Sequence, residues 1–206
     1  MRTPALASVF VLAAALPASA SIIGTTGMAQ QIAAPPSCFP GLLQAPQVLC
    51  WDEQQGRGTT ATPVDMTVNP SAVVSGVGAT PGVLSGVFDS HFMHFDFPGI
   101  APLFGTITFS NTIVGVAYQD TFLDLSDGFG SFGTAYPTGL NLRGWNQQTS
   151  ISINGATLTF NIVGNPAGQL DIEQIRVFTA PVPAPGAVAL ASLGGLALFR
   201  RRRRAL

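Results

Sequence analysis

Ser150-Ile151-Ser152-Ile153-Asn154-Gly155-Ala156-Thr157-Leu158-Thr159-Phe160-Asn161-Ile162-Val163 sets the architecture of this chain. Polar and apolar residues alternate on both sides of Asn154-Gly155. In a strand over 156–163, Leu158, Phe160 and Ile162 therefore share one face. Asn-Gly between two alternating runs is a hairpin signal, so the turn joins this strand to 149–153. Working outward, short runs of the same kind predict further strands at 47–52, 64–68, 90–97, 105–109, 113–118 and 172–178. A second turn is expected around Ser110-Asn111, joining the strands on either side of it. Phenylalanines 88, 92, 95, 97, 104 and 109 are expected to fill the space between two sheets. The spacing of strands and turns predicts an all-β, antiparallel β-sandwich of jelly-roll type over residues 21–180. No sustained 3.6-residue pattern appears outside the two ends, and no repeat of 20–50 residues is present.

The charges are unevenly placed. All nine basic residues are arginines, and the chain has no lysine. Arg2 and Arg200 to Arg204 sit at the ends, which leaves Arg57, Arg143 and Arg176 in the middle against all ten acids, a net charge of −7 there. An acidic domain repels phosphate backbones, so nucleic acid is not an expected partner. The basic cluster is a separate device.

Both ends read as sorting devices. Met1-Arg2, an apolar run over 5–16 and the small residues Ala18 and Ala20 have the three parts of a secretory signal over 1–20. Cleavage after Ala20 makes Ser21 the mature start, with the secretion machinery and signal peptidase as partners. At the other end, 181–206 holds a proline motif, an apolar run over 187–199 and the five arginines. Counted from Val182, a helix through this run is roughly 27 Å long, close to a bilayer core of about 30 Å. The arginines extend its reach by snorkelling and hold that end in the cytoplasm, so the domain faces out.

Val182-Pro183-Ala184-Pro185-Gly186, the apolar span and Arg200, Arg201, Arg202, Arg203 and Arg204 together resemble a PEP-CTERM sorting signal, in its Val-Pro-Ala-Pro-Gly variant. The resemblance covers about the last 25 residues. It implies an exosortase as partner, a membrane-bound intermediate, cleavage near Pro183 to Gly186, and delivery to the cell surface or an extracellular polymer matrix. Ala184 stands where the commoner signal has Glu. The middle resembles a group of uncharacterised exported bacterial proteins that carry the same tail. That likeness rests on Glu53-Gln54-Gln55, Ser90-His91-Phe92-Met93-His94-Phe95-Asp96, Gly105-Thr106-Ile107-Thr108-Phe109, Tyr136-Pro137-Thr138-Gly139 and Asp171-Ile172-Glu173-Gln174-Ile175-Arg176, and it brings no activity with it.

Candidate chemistry is sparse. Cys38 and Cys50 fall on the exported side, where a disulfide persists. Closing that short loop stabilises a fold by about 3 kcal/mol. His91 and His94 lie three apart, on opposite faces of a strand, and so do not share one ion. Asp120, Asp124 and Asp127 lie in a loop that suits a structural calcium ion or, alternatively, turn capping and solvent. Gly128-Phe129-Gly130-Ser131-Phe132-Gly133 lacks the Lys-Ser/Thr ending of a phosphate loop. Trp145 and Tyr136, with Trp51 and Tyr118, are candidates for a sugar-contacting platform or for core packing. No nucleophile elbow or zinc helix appears.

The expected function is a non-enzymatic, exported surface or extracellular-matrix protein with a structural or adhesive role, embedded in exopolysaccharide such as that of a biofilm. The alternative is a carbohydrate-binding module acting on exopolysaccharide, and the third reading is a calcium-stabilised secreted hydrolase. No cofactor is expected beyond the calcium option.

Overall fold

Ser150–Asn154 and Thr157–Val163 pair antiparallel with Asn154 opposite Thr157, which makes Gly155-Ala156 the two-residue turn. Gly155 has φ 59°, the positive value that the first central position of a II′ turn requires. The expected Asn154-Gly155 turn is thus shifted by one residue. This is a computed structural model, which describes residues 20–69, 71–75, 80–96, 102–145, 149–163 and 172–181. They fall in one unit, Ser19–Pro181.

The strands in chain order are β1 (Ile22–Gly27), β2 (Ala29–Gln31), β3 (Val48–Asp52), β4 (Arg57–Val64), β5 (Met66–Thr67), β6 (Ser71–Ser75), β7 (Gly82–Phe95), β8 (Pro102–Phe109), β9 (Ile113–Ala117), β10 (Arg143–Gly144), β11 (Ser150–Asn154), β12 (Thr157–Val163) and β13 (Ile172–Thr179). A short helix, α1 (Asp120–Ser126), leads into a 3-10 turn at Asp127–Phe129. The first sheet is antiparallel throughout, in the order β1-β8-β12-β11-β6. The second runs β2-β3-β7-β13-β9-β5 and is mixed, because β2 pairs parallel with β3 and β10 parallel with β13. The long β7 is shared: Gly82 to Phe88 pairs with β4, and Asp89 to Phe95 pairs with β13.

Two apolar clusters follow from this layout. In the first, Ile107, Phe109, Ile151, Ile153, Leu158, Phe160 and Ile162 of the first sheet meet Val48, Cys50, Met93, Phe95, Val116, Ile175 and Val177 of the second. The second cluster lies on the other face of the second sheet, where Leu49, Trp51, Phe92 and Phe178 pack with Cys38, Leu123 and Phe129. The second sheet is therefore buried on both faces, and all eight residues of β13 are buried. The all-β expectation and the two sheets hold. Among the described residues no helix is long and apolar enough to cross a membrane. The expected leader through Ser19 and the tail from Val182 lie outside the described residues.

Several expectations are corrected. Phe95 and Phe109 do lie between the sheets, but Phe88 and Phe92 belong to the second cluster and Phe104 is exposed. Phe97 lies outside the described residues. Ser110-Asn111 is no hairpin: β8 belongs to the first sheet and β9 to the second, so the turn crosses between sheets. Strands β1, β2, β6, β10 and most of β4, and the helix α1, are additions to the expected set. Cys38 and Cys50 are free thiols. Alternation along β3 sends Cys50 into the core between the sheets, whereas Cys38 sits in the cluster on the opposite face. Their Cβ vectors cannot meet across a sheet, so the expected disulfide is not formed.

Candidate functional site

Gln174 and Arg176 alternate with Ile175 and Val177 along β13, which points both polar side chains to the outer face of the second sheet. Arg176 has no exposed surface. Its Nε and Nη2 donate to Glu53 at 2.7 and 3.0 Å, and its Nη1 donates to Asp127 at 3.0 Å, to Ser126 Oγ and to the Leu123 carbonyl. Burial opposes this charge, but Glu53, Asp127 and Tyr136 together outweigh it and raise the pKa further. Arg143, from β10, donates to Asp124, Asp127 and Gln174. Gln174 passes the network on to His94 Nδ1 at 3.0 Å and to the Cys38 carbonyl. Tyr136 donates its hydroxyl to Glu53, and its ring lies within 6 Å of both guanidinium groups. Two arginines and three carboxylates thus form one buried or half-buried cluster that clamps α1 and the 3-10 turn against the sheet.

This cluster changes how the acidic loop reads. Asp124 and Asp127 turn to guanidinium groups at 2.5 to 3.0 Å, Asp124 also accepts the Gly139 amide, and Asp120 accepts the Arg143 amide. Among the described residues, no three metal-ligating side chains form a group. Arginines thus face Asp124 and Asp127, whereas Asp120 accepts only a backbone amide. These partners come from distant strands, so loop spacing alone could not reveal them.

The other candidates fall as follows. Trp145 is 8% exposed and packs edge-on against the buried Tyr118 at 4.5 Å. Tyr136 is half-buried over the arginines, and Trp51 is fully buried. Of the two readings of these rings, core packing fits Trp51, Tyr118 and Trp145, whereas Tyr136 keeps part of its surface exposed. His91 and His94 do take opposite faces. His91 bonds Asp52 at 2.7 Å and Thr179 at 3.1 Å, and its ring lies against Phe109. His94 is fully buried, and burial lowers its pKa to about 4. Burial likewise pushes the Cys38 and Cys50 thiols up to about 12, so neither is a nucleophilic thiolate at neutral pH. Of the signal-cleavage residues, Ala18 lies outside the described residues. Ala20 is 1% exposed and donates its amide to Asp89, and Ser21 donates to Ser110 Oγ.

A surface that aromatic and metal patterns do not flag lies on the outer face of the first sheet. Register aligns Thr26, Thr106, Thr159, Ser152 and Val73 in one row across all five strands. A second row holds Gly24, Thr108, Thr157, Asn154 and Ser71, and a third includes Phe104, Asn161 and Ser150. Adjacent strands place neighbours about 4.8 Å apart. Thr26 and Thr106 share a hydroxyl hydrogen bond at 2.7 Å, and Thr108 and Thr157 approach to 3.5 Å. None of these residues is charged, although the domain around them is strongly acidic. The signal was present in the sequence as the polar half of each alternating strand, with Thr, Ser and Asn in place of the usual charged residues.

No family model, no curated protein and no solved structure matches this chain.

Proposed function

We propose that this chain is an exported bacterial surface or extracellular-matrix protein with a structural or adhesive role. Its β domain is a jelly-roll-like sandwich released by signal peptidase at Ala20-Ser21. A C-terminal membrane-spanning helix over the apolar run holds the domain at the inner membrane until an exosortase acts near Pro183 to Gly186. The observation that carries this reading is the order of segments after the domain: proline motif, apolar run, then Arg200 to Arg204. Five guanidinium groups cannot follow an apolar helix across a bilayer, so they fix its orientation. The test replaces Arg200 to Arg204 with glutamine and follows the protein by cell fractionation. Loss of surface delivery, with tail-bearing chains building up, is expected. Unchanged processing and release would contradict the reading.

The alternative, contact with exopolysaccharide, is favoured by one observation, the uncharged hydroxyl rows on the outer face of the first sheet. Hydroxyl and amide side chains exchange hydrogen bonds with sugar hydroxyls, and a neutral face imposes no desolvated charge on a neutral glycan. Thr159→Asp places one anion at the middle of this face. Retention on neutral polysaccharide should fall in that variant with the melting temperature nearly unchanged. Equal retention by both proteins would remove this face from the account.

A further inference from the structure

Asp89 lies in β7 at 1% exposure. Its Oδ2 accepts the Ala20 amide at 2.7 Å and its Oδ1 accepts the Gly56 amide. Among the described residues it takes part in no ion pair, whereas Glu53, Asp124 and Asp127 all pair with arginines. A buried carboxylate held only by amides is a costly arrangement, because buried charges are ordinarily matched by an opposite charge. The adjoining backbone is held just as deliberately. Ser21 donates its amide to Ser110 Oγ at 3.0 Å and accepts from the Ser110 amide, and Ile22 donates to Asp52 at 2.9 Å. Two carboxylates and a hydroxyl therefore converge on the nitrogens of residues 20 to 22, across the bond expected to be cut on export.

We infer that Asp89, with Asp52 and Ser110, is a binding site for the α-ammonium group that processing creates at Ser21. The inference rests on the export reading of residues 1–20. Hydrolysis of the Ala20–Ser21 bond consumes one water. Its oxygen leaves with the leader as the Ala20 carboxylate, and the Ser21 nitrogen takes up protons to become an ammonium group. Backbone nitrogens one residue apart lie roughly 3 to 3.7 Å from each other. The new cation is thus formed beside the oxygen that loses the Ala20 amide. The unprocessed chain satisfies Asp89 with a dipole, and the processed chain satisfies it with a full charge. Export then adds an ion pair that ties β1 of the first sheet to β7 of the second.

The chain has no lysine, so the mature protein has one primary amine, at its N-terminus. The experiment takes the exported protein from a secreting host, sequences its N-terminus and measures the rate of acylation by an amine-reactive ester at pH 8. The expected result is a Ser21 start and acylation at least about fivefold slower than in urea, the effect at pH 8 of raising an α-amine pKa by one unit. Asp89→Asn should recover most of that rate. Wild-type protein acylated in urea and refolded should melt below the unmodified protein, a comparison that needs no variant. A different N-terminal residue would overturn the export reading and this site with it. A Ser21 start with acylation as fast as in urea would overturn the site alone.

Discussion

A guanidinium group without exposed surface must find every partner inside the fold, and Arg176 finds five acceptor atoms across α1, the 3-10 turn and Glu53. Truncating it leaves Glu53 and Asp127 buried without that charge. Arg176→Ala should lose about 3–5 kcal/mol by urea unfolding, and Arg176→Met with Glu53→Leu should recover part of the loss. His94 makes a separate prediction. Its pKa falls from about 6.5 unfolded to about 4 folded, with burial as the main cause. The unfolded chain then binds more protons in that window, so this contribution is complete above pH 6.5 and is lost as pH falls toward 4. Asp65, Asp96 and Asp120 have raised pKa values from burial and act with the opposite sign. The comparison is therefore between melting curves: His94→Gln should show a shallower fall from pH 6.5 to 4 than the wild type. Neither residue's role was legible in the sequence. Arg176 and Glu53 stand 123 positions apart, and only the alternation along β13 hinted that a polar side chain there would be buried.

The hairpin at β11 and β12 was legible because its alternation is unbroken and its turn carries a glycine. The strands at β3, β7, β8, β9 and β13 were legible as short runs rich in apolar and β-branched residues. Other elements give weaker signals. With seven residues and only Leu123 and Ser126 buried, α1 has no length over which a 3.6-residue period can emerge. It is held from outside, since Asp65 accepts the amides of Tyr118 and Gln119 just before its start. The turn at Ser110 fails as a hairpin because local sequence does not say which sheet the next strand joins. Two glycines test the packing of these elements. A Cβ at Gly105 would meet Phe160 Cζ and the Thr26 carbonyl at 2.6 Å, so Gly105→Ala should cost about 1–3 kcal/mol by denaturant titration. Gly155→Ala meets no atom within 4 Å and strains only the turn at positive φ, for a loss of about 1 kcal/mol. The clamp on α1 makes a third prediction: because Asp124 and Asp127 already take guanidinium partners, a calcium chelator should leave the melting temperature unchanged. A fall of several degrees would return calcium to this loop.

At the scale of the whole chain, a β domain follows from pattern alone, since alternating runs of five to eight residues can bury one face only by pairing into sheets. The charge asymmetry was equally visible: seven uncompensated negative charges in the middle, and arginines at the ends. What the pattern could not supply is how the acids are spent. Most of them turn inward to arginines, to His91 or to loop amides, as Asp52, Glu53, Asp65, Asp89, Asp124 and Asp127 do. The described strands of the first sheet, by contrast, carry no charged residue. The account stands on the chain being exported and trimmed at both ends. Intact mass measurement of the protein recovered from the surface or matrix of its native host tests this most directly. The predicted mass is that of a chain starting at Ser21 and ending between Pro183 and Gly186. Recovery instead of the full chain from Met1 to Leu206 in the cytosol would contradict it.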